Sequence, residues 1–242
     1  RRKLNRSQSN SLKYISLFVL LGITIGTGYY IYSQDKIMNA GINSSKQELL
    51  EVNYEKEYKY LEQLPQPRVV SINAKIDIFP SEKAFDATVD FILKNKTKVP
   101  IDTLVVLYNG RATPQFNYTI LQPDRNFDLI RDDAEIGVRI LKLHQAILPG
   151  DSIRFQMQLD YRQVGAFSNQ ESSIVENGTF FNNMYFISFG YDPNRELSSN
   201  IARKKHGLEE KQRTAPLEDT LARYNNYISN DADWLDFEAT IS

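Results

Sequence analysis

The chain contains no cysteine and only two histidines, His144 and His206, among its 242 residues. Without cysteine it has no disulfide bridge and no thiol nucleophile. A helical zinc site of the H-E-x-x-H type needs two histidines one turn apart, with a glutamate as the base. Neither histidine belongs to such a pattern. Both are therefore interpreted as ordinary surface or strand residues.

Other signatures of chemistry are also missing. The sequence has no G-x-G-x-x-G loop for phosphate and no nucleophile elbow for a serine triad. Four acids near the end of the sequence invite a calcium interpretation: Asp231, Asp233, Asp236 and Glu238. The glycine and the terminal glutamate of an EF-hand loop are absent, so the alternating polar positions of a strand explain these acids better. We therefore assign no catalytic residue and no metal ligand to this segment.

The first 13 residues contain five basic residues and no acid. Because the formal net charge of the whole chain is −1, removing these five positive charges leaves −6 for residues 14–242. A mildly acidic body does not suggest the basic face that nucleic acid requires. Nucleic acid is therefore not an expected partner.

One long uncharged run is present, the 21 residues from Tyr14 to Gln34. At ~1.5 Å rise per residue, a helix of that length spans the ~30 Å hydrocarbon core of a bilayer. We predict a transmembrane helix over residues 14–34, with the lipid bilayer as its partner. A buried core helix and a cleaved signal peptide are the alternatives. The run is long for either, and no convincing Ala-x-Ala cleavage site follows it.

The basic flank predicts the topology. By the positive-inside rule, residues 1–13 stay in the cytoplasm, and the domain that follows the helix lies outside the cytoplasmic membrane. The sequence begins at Arg1, not at a methionine, and stops within a strand-like run at Ala239–Ser242. We expect it to be a piece of a longer polypeptide.

Residues 35–67 are predicted to form a hinge and a helical stalk. Small polar residues occupy the hinge at 39–45. The helix is predicted over 44–63, because apolar residues recur along one stripe while charged residues cover the remainder. The stripe consists of Leu50, Tyr54, Tyr58 and Leu61. A solvated spacer is the favoured interpretation of this helix, and a partner-binding helix is the alternative.

Residues 68–242 are predicted to form one β domain. Val70–Ile78 and Phe85–Leu93 alternate apolar and polar residues on either side of a turn, which indicates a half-buried antiparallel hairpin. Further strands are predicted at Ile101–Tyr108, Ile136–Leu143 and Ile153–Tyr161. Short turns without intervening helices favour a mainly β fold, an antiparallel sandwich or saddle-like sheet.

The first hairpin is expected to form the core of this domain. Ile76 and Phe91 lie on its apolar faces, whereas Lys75 and Asp90 lie on the opposite faces. Truncating either polar residue should cost roughly 0.5 kcal/mol or less. Residues 195–223 are polar and predict a surface excursion with short helices.

Three stretches resemble the N-terminal β domain of the aminopeptidase N family of zinc metallopeptidases. They are Val69–Tyr108, Asp151–Tyr161 and Ala232–Ser242, and "NGTFF" at Asn177–Phe181 is similar to a further stretch of that domain. A specific variety looks closer still, the bacterial membrane proteins in which an ABC transporter permease is followed by an aminopeptidase N-like domain. That likeness rests on "YEKEYKYLEQLPQPRV", "NGTFFNN", "GYDPNREL", "RKKHGL" and "NNYISNDADWLDFEATIS".

The resemblance implies a parent protein that is a zinc metallopeptidase of the bacterial inner membrane. Residues 14–32 would be the last transmembrane helix of the permease, and residues 68–242 would be a non-catalytic periplasmic domain. Zinc would be held in a catalytic domain that follows this segment. A peptide substrate and ABC transporter subunits are the implied partners. The alternative is an extracytoplasmic interaction module of a transporter without peptidase activity.

The resemblance also points to a substrate-binding position. In some family members, an acidic or amide side chain a few residues after "GTF" binds the free amine of the substrate. The matching positions here are Asn182, Asn183 and Tyr185. The Glu or Gln that the resemblance leads us to expect is not present at any of them.

Overall fold

The computed structural model describes residues 2–33, 44–110, 115–163, 174–175, 178–179, 185–211, 218–219 and 234–242. The chain divides into two compact units. The first contains helix α1 (Arg2–Tyr32), and the second contains the remaining helices and strands.

Helix α1 contains the predicted apolar run. Its segment Leu12–Tyr32 is long and apolar enough to cross a membrane. Side chains along this segment are exposed, including Phe18 at 72% and Leu20 at 61%. An apolar helix that no described part of the chain buries is not a core helix of this structure. A membrane span and a signal sequence both fit the observation.

The second unit opens with helix α2 (Ser44–Tyr58), which a 3-10 segment extends over Lys59–Gln63. The first seven strands are β1 (Arg68–Phe79), β2 (Ala84–Lys94), β3 (Ile101–Leu107), β4 (Phe116–Pro123), β5 (Phe127–Asp133), β6 (Val138–Ile147) and β7 (Ser152–Arg162). The later described elements are β8 (Ile174–Val175), β9 (Gly178–Thr179), β10 (Ser188–Phe189), a 3-10 turn (Pro193–Arg195), helix α3 (Asn200–Lys205) and β11 (Asp236–Ile241).

The described strands form two main sheets. The larger has the order β11-β1-β2-β7-β4, the smaller has the order β10-β3-β6-β5, and β8 and β9 pair separately. The strand pairs are antiparallel except that β11 lies parallel to β1. The predicted mainly β fold, with an apolar N-terminal helix and a second helix, is confirmed.

The core lies between the two main sheets, and the first hairpin supplies much of it. Ile76 on β1 is 2% exposed and Phe91 on β2 is 1% exposed. Phe91 is opposite Phe155 of β7 in the register, and its ring meets the edge of Phe189 at 5.9 Å between centroids. The predicted burial of Ile76 and Phe91 is confirmed.

The other face of the larger sheet is polar. Arg154 donates two hydrogen bonds to the carboxylate of Asp90, at 2.9 and 2.6 Å, and Gln156 donates a third at 3.3 Å. Lys75 on the same face is exposed. Asp90 is therefore partnered in a way that the alternation alone did not predict, and Lys75 is the cleaner surface reference.

Helix α2 packs on the smaller sheet. Tyr54, Tyr58 and Leu61 are each at most 2% exposed and form a second apolar cluster with four residues of β3 and β6. Those four are Val105, Leu107, Val138 and Ile140. The predicted helix is confirmed, and so is its stripe at Tyr54, Tyr58 and Leu61, whereas Leu50 is only half-buried and lies outside the cluster. The interpretation as a solvated spacer is wrong, because the stripe covers the outer face of a sheet that is apolar on both faces.

A buried asparagine fixes the corner at which the chain leaves one sheet for the other. Asn95, between β2 and β3, is fully buried. Its amide donates to the carbonyls of Val99 and Ile147 at 2.8 Å each, and its Oδ1 accepts from the backbone and side chain of Thr97. All these amide groups are satisfied without water, as burial requires. The side chain therefore holds the connection in one shape.

We predict that Phe91→Ala destabilises the domain by about 3–5 kcal/mol, because it opens a cavity between the two sheets. Lys75→Ala on the polar face should cost roughly 0.5 kcal/mol or less. Urea unfolding of the two variants in a fragment lacking residues 1–45 measures both. Equal losses would contradict the register described above.

Candidate functional site

The predicted substrate-binding residues do not assemble into a visible site. Asn182 and Asn183 lie outside the described residues. Tyr185 is only 6% exposed. Its ring meets Phe85 edge-on at 4.9 Å and Tyr161 at 5.5 Å between centroids. The ring of Tyr185 thus belongs to the core, and a role in substrate binding stays a prediction.

The two histidines lie far apart in the chain and each has a carboxylate neighbour. His144 Nε2 is 3.0 Å from Asp128 on the adjacent strand. His206 Nε2 is 2.6 Å from Glu48 of α2, and Lys205 Nζ is 2.8 Å from the same carboxylate. Hydrogen bonds from Lys205 and His206 lower the pKa of Glu48. Among the described residues, no three His, Cys, Asp or Glu side chains are grouped so that they could hold a metal ion.

The C-terminal acids can be placed in part. Asp236 and Glu238 lie on β11, and Glu238 accepts a hydrogen bond from Asn73 of β1 at 2.9 Å. For these two acids the strand interpretation is confirmed. Asp231 and Asp233 lie outside the described residues.

Three stretches singled out in the sequence meet on the surface of α2. "YEKEYKYLEQ" forms the last five residues of α2 and the 3-10 segment after it. "GYDPNREL" lies over it, and "RKKHGL" forms the second half of α3 and the turn after it. Tyr54 stacks on Tyr191 at 4.9 Å between centroids and 12° between planes. The backbone N–H of Asp192 donates to the Tyr54 hydroxyl at 2.8 Å. We call this assembly the α2 clamp.

The centre of the α2 clamp is a buried ion pair. Arg203 of α3 donates two hydrogen bonds of 2.7 Å to the carboxylate of Glu55 on α2. Glu55 is 8% exposed and Arg203 is 4% exposed. The guanidinium also donates to the carbonyls of Leu197 and Glu209. A bidentate geometry with further acceptors is the arrangement in which a buried pair offsets its desolvation.

A second buried carboxylate of the clamp collects three donors. Glu196, 4% exposed, receives hydrogen bonds from Lys59 at 2.6 Å and Tyr191 at 2.8 Å, and Lys211 Nζ is 2.9 Å away. Burial opposes ionisation of this carboxyl, but the three donors outweigh it and lower the pKa of Glu196 to about 2. Burial and the Glu196 carboxylate raise the pKa of Tyr191.

The ion pairs and hydrogen bonds of the α2 clamp attach α2 to α3 and to residues 191–196. The buried carboxylates of the clamp are matched by cations and hydroxyls, which leaves neither Glu55 nor Glu196 free to move a proton or bind a metal. Periodicity predicted the helix that contains the first stretch, but the three stretches were grouped only through a resemblance. Buried partners separated by about 140 residues in the chain leave no local pattern, so periodicity could not pair them.

The core face of β11 is uncovered in the described chain. Phe237 and Ile241 are opposite Ile72 and Ile76 in the parallel register, so they lie on the face that β1 turns toward the core. Ile76 is 2% exposed, yet Phe237 is 57% and Ile241 58% exposed. The larger sheet therefore extends an apolar surface beyond its own core.

No protein-family model and no curated protein matches the chain. Among solved structures, it is similar to an M1 zinc metallopeptidase from Deinococcus radiodurans, with 13% identity and a TM-score of 0.31 over 42% of this chain. A mutant of that enzyme bound to a Tyr-Ser-Ala substrate gives the same identity and TM-score over 40% of this chain. A two-domain M1 zinc metallopeptidase mutant bound to L-tryptophan gives 12% identity and 0.31 over 43%.

The chain spans only 21 or 22% of the length of these three solved structures. Likenesses with such low TM-scores carry no argument about this chain. What those enzymes bind and cleave is a property of those enzymes.

Breaking the buried ion pair should loosen α2. We predict that Glu55→Ala costs about 3–5 kcal/mol of unfolding free energy, because it leaves the Arg203 guanidinium buried without its carboxylate. Replacing both residues, Glu55→Leu with Arg203→Met, should cost less than the single change. Asp86→Ala removes the partner of Arg162 in an exposed pair and serves as the control, at roughly 1 kcal/mol or less. A double variant no more stable than Glu55→Ala would contradict this reasoning.

The Glu196 carboxylate should make stability depend on pH. Its pKa falls from 4.5 to about 2 on folding. The stabilisation is therefore complete above 4.5 and is lost as the pH falls from there toward 2. We predict that Glu196→Gln is destabilised at about pH 7 and that its gap to the unmodified chain narrows at about pH 3. Urea unfolding at the two pH values measures the gap. Glu209→Gln, which removes a carboxylate without a hydrogen-bonded partner among the described residues, should show no such change.

Proposed function

We propose that this chain is the membrane-anchored, non-catalytic N-terminal β domain of a larger zinc aminopeptidase-like membrane protein. In this proposal the apolar helix is the last transmembrane helix of a fused ABC transporter permease. The β domain forms one wall of a peptide-binding cleft. The catalytic zinc belongs to a domain that follows it.

One observation carries the proposal. The three stretches on which the resemblance rests supply consecutive strands of a single sheet, although they are far apart in the sequence. Val69–Tyr108 supplies β1 and β2 and also β3 of the smaller sheet, Asp151–Tyr161 supplies most of β7, and Ala232–Ser242 supplies β11. The sheet order is β11-β1-β2-β7. Separate matches that occur in family order and then pair side by side support one common domain.

The exposed face of β11 supports the existence of a further domain. Phe237 and Ile241 extend the core face of β1 into solvent at more than half exposure. Contiguous apolar surface at the end of a sheet is typical of an interface. A catalytic domain packed against β11 would bury these side chains and form the second wall of the cleft.

We predict that the chain alone does not hydrolyse amino-acid anilides and binds no stoichiometric zinc, because its described residues offer no ligand group. The longer polypeptide should hydrolyse them and lose the activity with a zinc chelator. Anilide turnover and metal content of the two proteins measure this. Turnover by the chain alone would contradict the proposal.

An inactive longer polypeptide would favour the other function, an interaction module of a transporter without peptidase activity. The departure at Asn182, Asn183 and Tyr185 from the expected Glu or Gln is the observation that favours it. A folded, zinc-free longer polypeptide without turnover would decide for this alternative.

The proposed topology has residues 1–13 in the cytoplasm and the β domain in the periplasm of a bacterial inner membrane. Protease added to intact spheroplasts should digest the β domain and spare a tag placed before Arg2, because five basic residues hold that end inside. Protection of the β domain would contradict the orientation. A mature chain that begins after residue 34 would show a cleaved signal sequence instead of an anchor.

A further inference from the structure

A small cleft lies beside the first half of α2, where the β3–β4 connection and the β5–β6 turn meet the 3-10 turn at Pro193–Arg195. Its volume is about 300 Å³, and its lining includes Glu51, Tyr54, Tyr108, Asn109 and Arg195. The cleft shares Tyr54 and Arg195 with the α2 clamp, but its lining includes no residue of β11 and neither partner of the Glu55–Arg203 ion pair.

Two glycines allow the chain connections beside this cleft to approach closely. A Cβ on Gly110 would lie 2.5 Å from the carbonyl oxygen of Glu135, and one on Gly137 would lie 2.1 Å from that of Tyr108. Gly137 also has a φ of +81°, which side-chain-bearing residues rarely adopt. The two connections therefore cross at backbone contact distance, and the groups that face the cleft are fixed in advance.

Arg195 is the unusual side chain of the cleft. Its two terminal nitrogens each lie 3.4 Å from a single acceptor, the carbonyl oxygen of Tyr108. These bonds are long, and a guanidinium has five N–H donors. No carboxylate among the described residues pairs with it. Nearby Asp192 is occupied, since its Oδ1 accepts from the backbone and side-chain nitrogens of Asn194.

The surroundings of Arg195 favour a bound anion. Burial lowers the pKa of Arg195, yet a guanidinium stays charged in proteins. Arg139, Arg154 and Arg203 each have a carboxylate partner, which Arg195 does not have among the described residues. A half-buried guanidinium that has no carboxylate partner is stabilised by an anion that accepts hydrogen bonds from its N–H groups.

The acids of the cleft restrict which anion fits. Glu51 lines it and accepts one hydrogen bond, from Gln47 at 2.9 Å, while Glu135 is shared with Lys46 at 3.1 Å. A phosphate dianion would face both carboxylates. A carboxylate that also carries an ammonium group would satisfy Arg195 and Glu51 together. Leu50 and the rings of Tyr54 and Tyr108 add apolar wall for a small side chain.

We propose that this cleft binds a free α-amino acid, with its carboxylate on Arg195 and its ammonium on Glu51. The ligand supplies the anion that the guanidinium lacks and the cation that Glu51 lacks. The site recognises the two charged groups common to all α-amino acids and only the size and polarity of the side chain.

Calorimetric titration of the full chain in detergent with L-leucine, up to about 10 mM, tests the proposal. We expect saturable binding. Leucinamide, which lacks the carboxylate, N-acetyl-leucine, which lacks the ammonium, and inorganic phosphate should each bind at least about tenfold more weakly, since each loses a charged hydrogen bond.

Variants locate the site. Arg195→Gln should weaken leucine binding at least about tenfold, and Glu51→Gln should weaken it by a smaller factor. Arg154→Gln, an arginine on the polar face of the larger sheet, is the matched control and should leave binding unchanged. If Arg195→Gln unfolds, Arg195→Lys keeps the charge but loses the fork, and should still weaken binding.

Three results would overturn the proposal. The first is the absence of saturable leucine binding by the folded chain. The second is phosphate, leucinamide or N-acetyl-leucine binding as tightly as leucine. The third is an unchanged affinity in a folded Arg195 variant.

Discussion

The second unit depends on one constraint, the burial of β3 on both faces. Leu104, Val105, Val106 and Leu107 are successive residues, and none is more than 1% exposed. Since successive side chains of a strand point to opposite faces, two layers must cover this strand. The larger sheet covers one face through Leu104 and Val106, and α2 covers the other through Val105 and Leu107. The result is three layers, with the smaller sheet in the middle.

This constraint explains why α2 is held so firmly. Its mixture of charged and apolar residues makes it a weak helix by itself, and most helical stability in proteins comes from tertiary packing. Its stripe packs on the sheet, while Glu55 and Lys59 on its flank engage Arg203 and Glu196 of the α2 clamp. The charged flank of the helix, which would otherwise face solvent, is therefore also held by ion pairs. Removal of the helix would expose the outer face of β3 and β6.

The sequence was most informative for strands that have one buried face and one solvent-exposed face. β2 and β7 alternate along their length, and β1 alternates from Asn73 onward, since one face is buried and the other carries Lys75, Asp90 and their neighbours. Their predicted bounds agree with the structure to within two residues. The stripe of α2 was predicted for the same reason, but the identity of the surface beneath it was not, because sequence periodicity shows that a face is buried and never against what.

Strands β4 and β5 were missed for a different physical reason. The register slips between Tyr118 and Ile120 on β4, and between Leu129 and Arg131 on β5. A bulge shifts the alternation by one residue, so the period of two does not persist over a window. β5 is also exposed along most of its length. Both strands lie at sheet edges, where packing imposes the weakest pattern.

The candidate sites were the least predictable part. Asn182, Asn183 and Tyr185 came from a resemblance, and of these the described Tyr185 packs in the core. Arg195 carried no signal of its own in a polar stretch. Arg195 stands out because the fold places no carboxylate partner beside it among the described residues. The lack of a carboxylate partner is a property of the tertiary structure, and it cannot be predicted from the local sequence of residues 190–197.

Edge strands β5 and β11 differ in the contacts that their side chains make, and the difference indicates which edge a further domain would cover. Edge strand β5 carries four charged residues but also exposes Leu129 at 53% and Ile130 at 61%. Its Asp133 and Arg131 interact with Tyr58 and Glu57 of α2. Bulges and charges are the usual protection of an edge that stays in water. Edge strand β11 has no such protection on its core face, where Phe237 and Ile241 stand exposed. On β11 the exposed side chains continue the core face of β1, and this is the surface that the proposed following domain would cover.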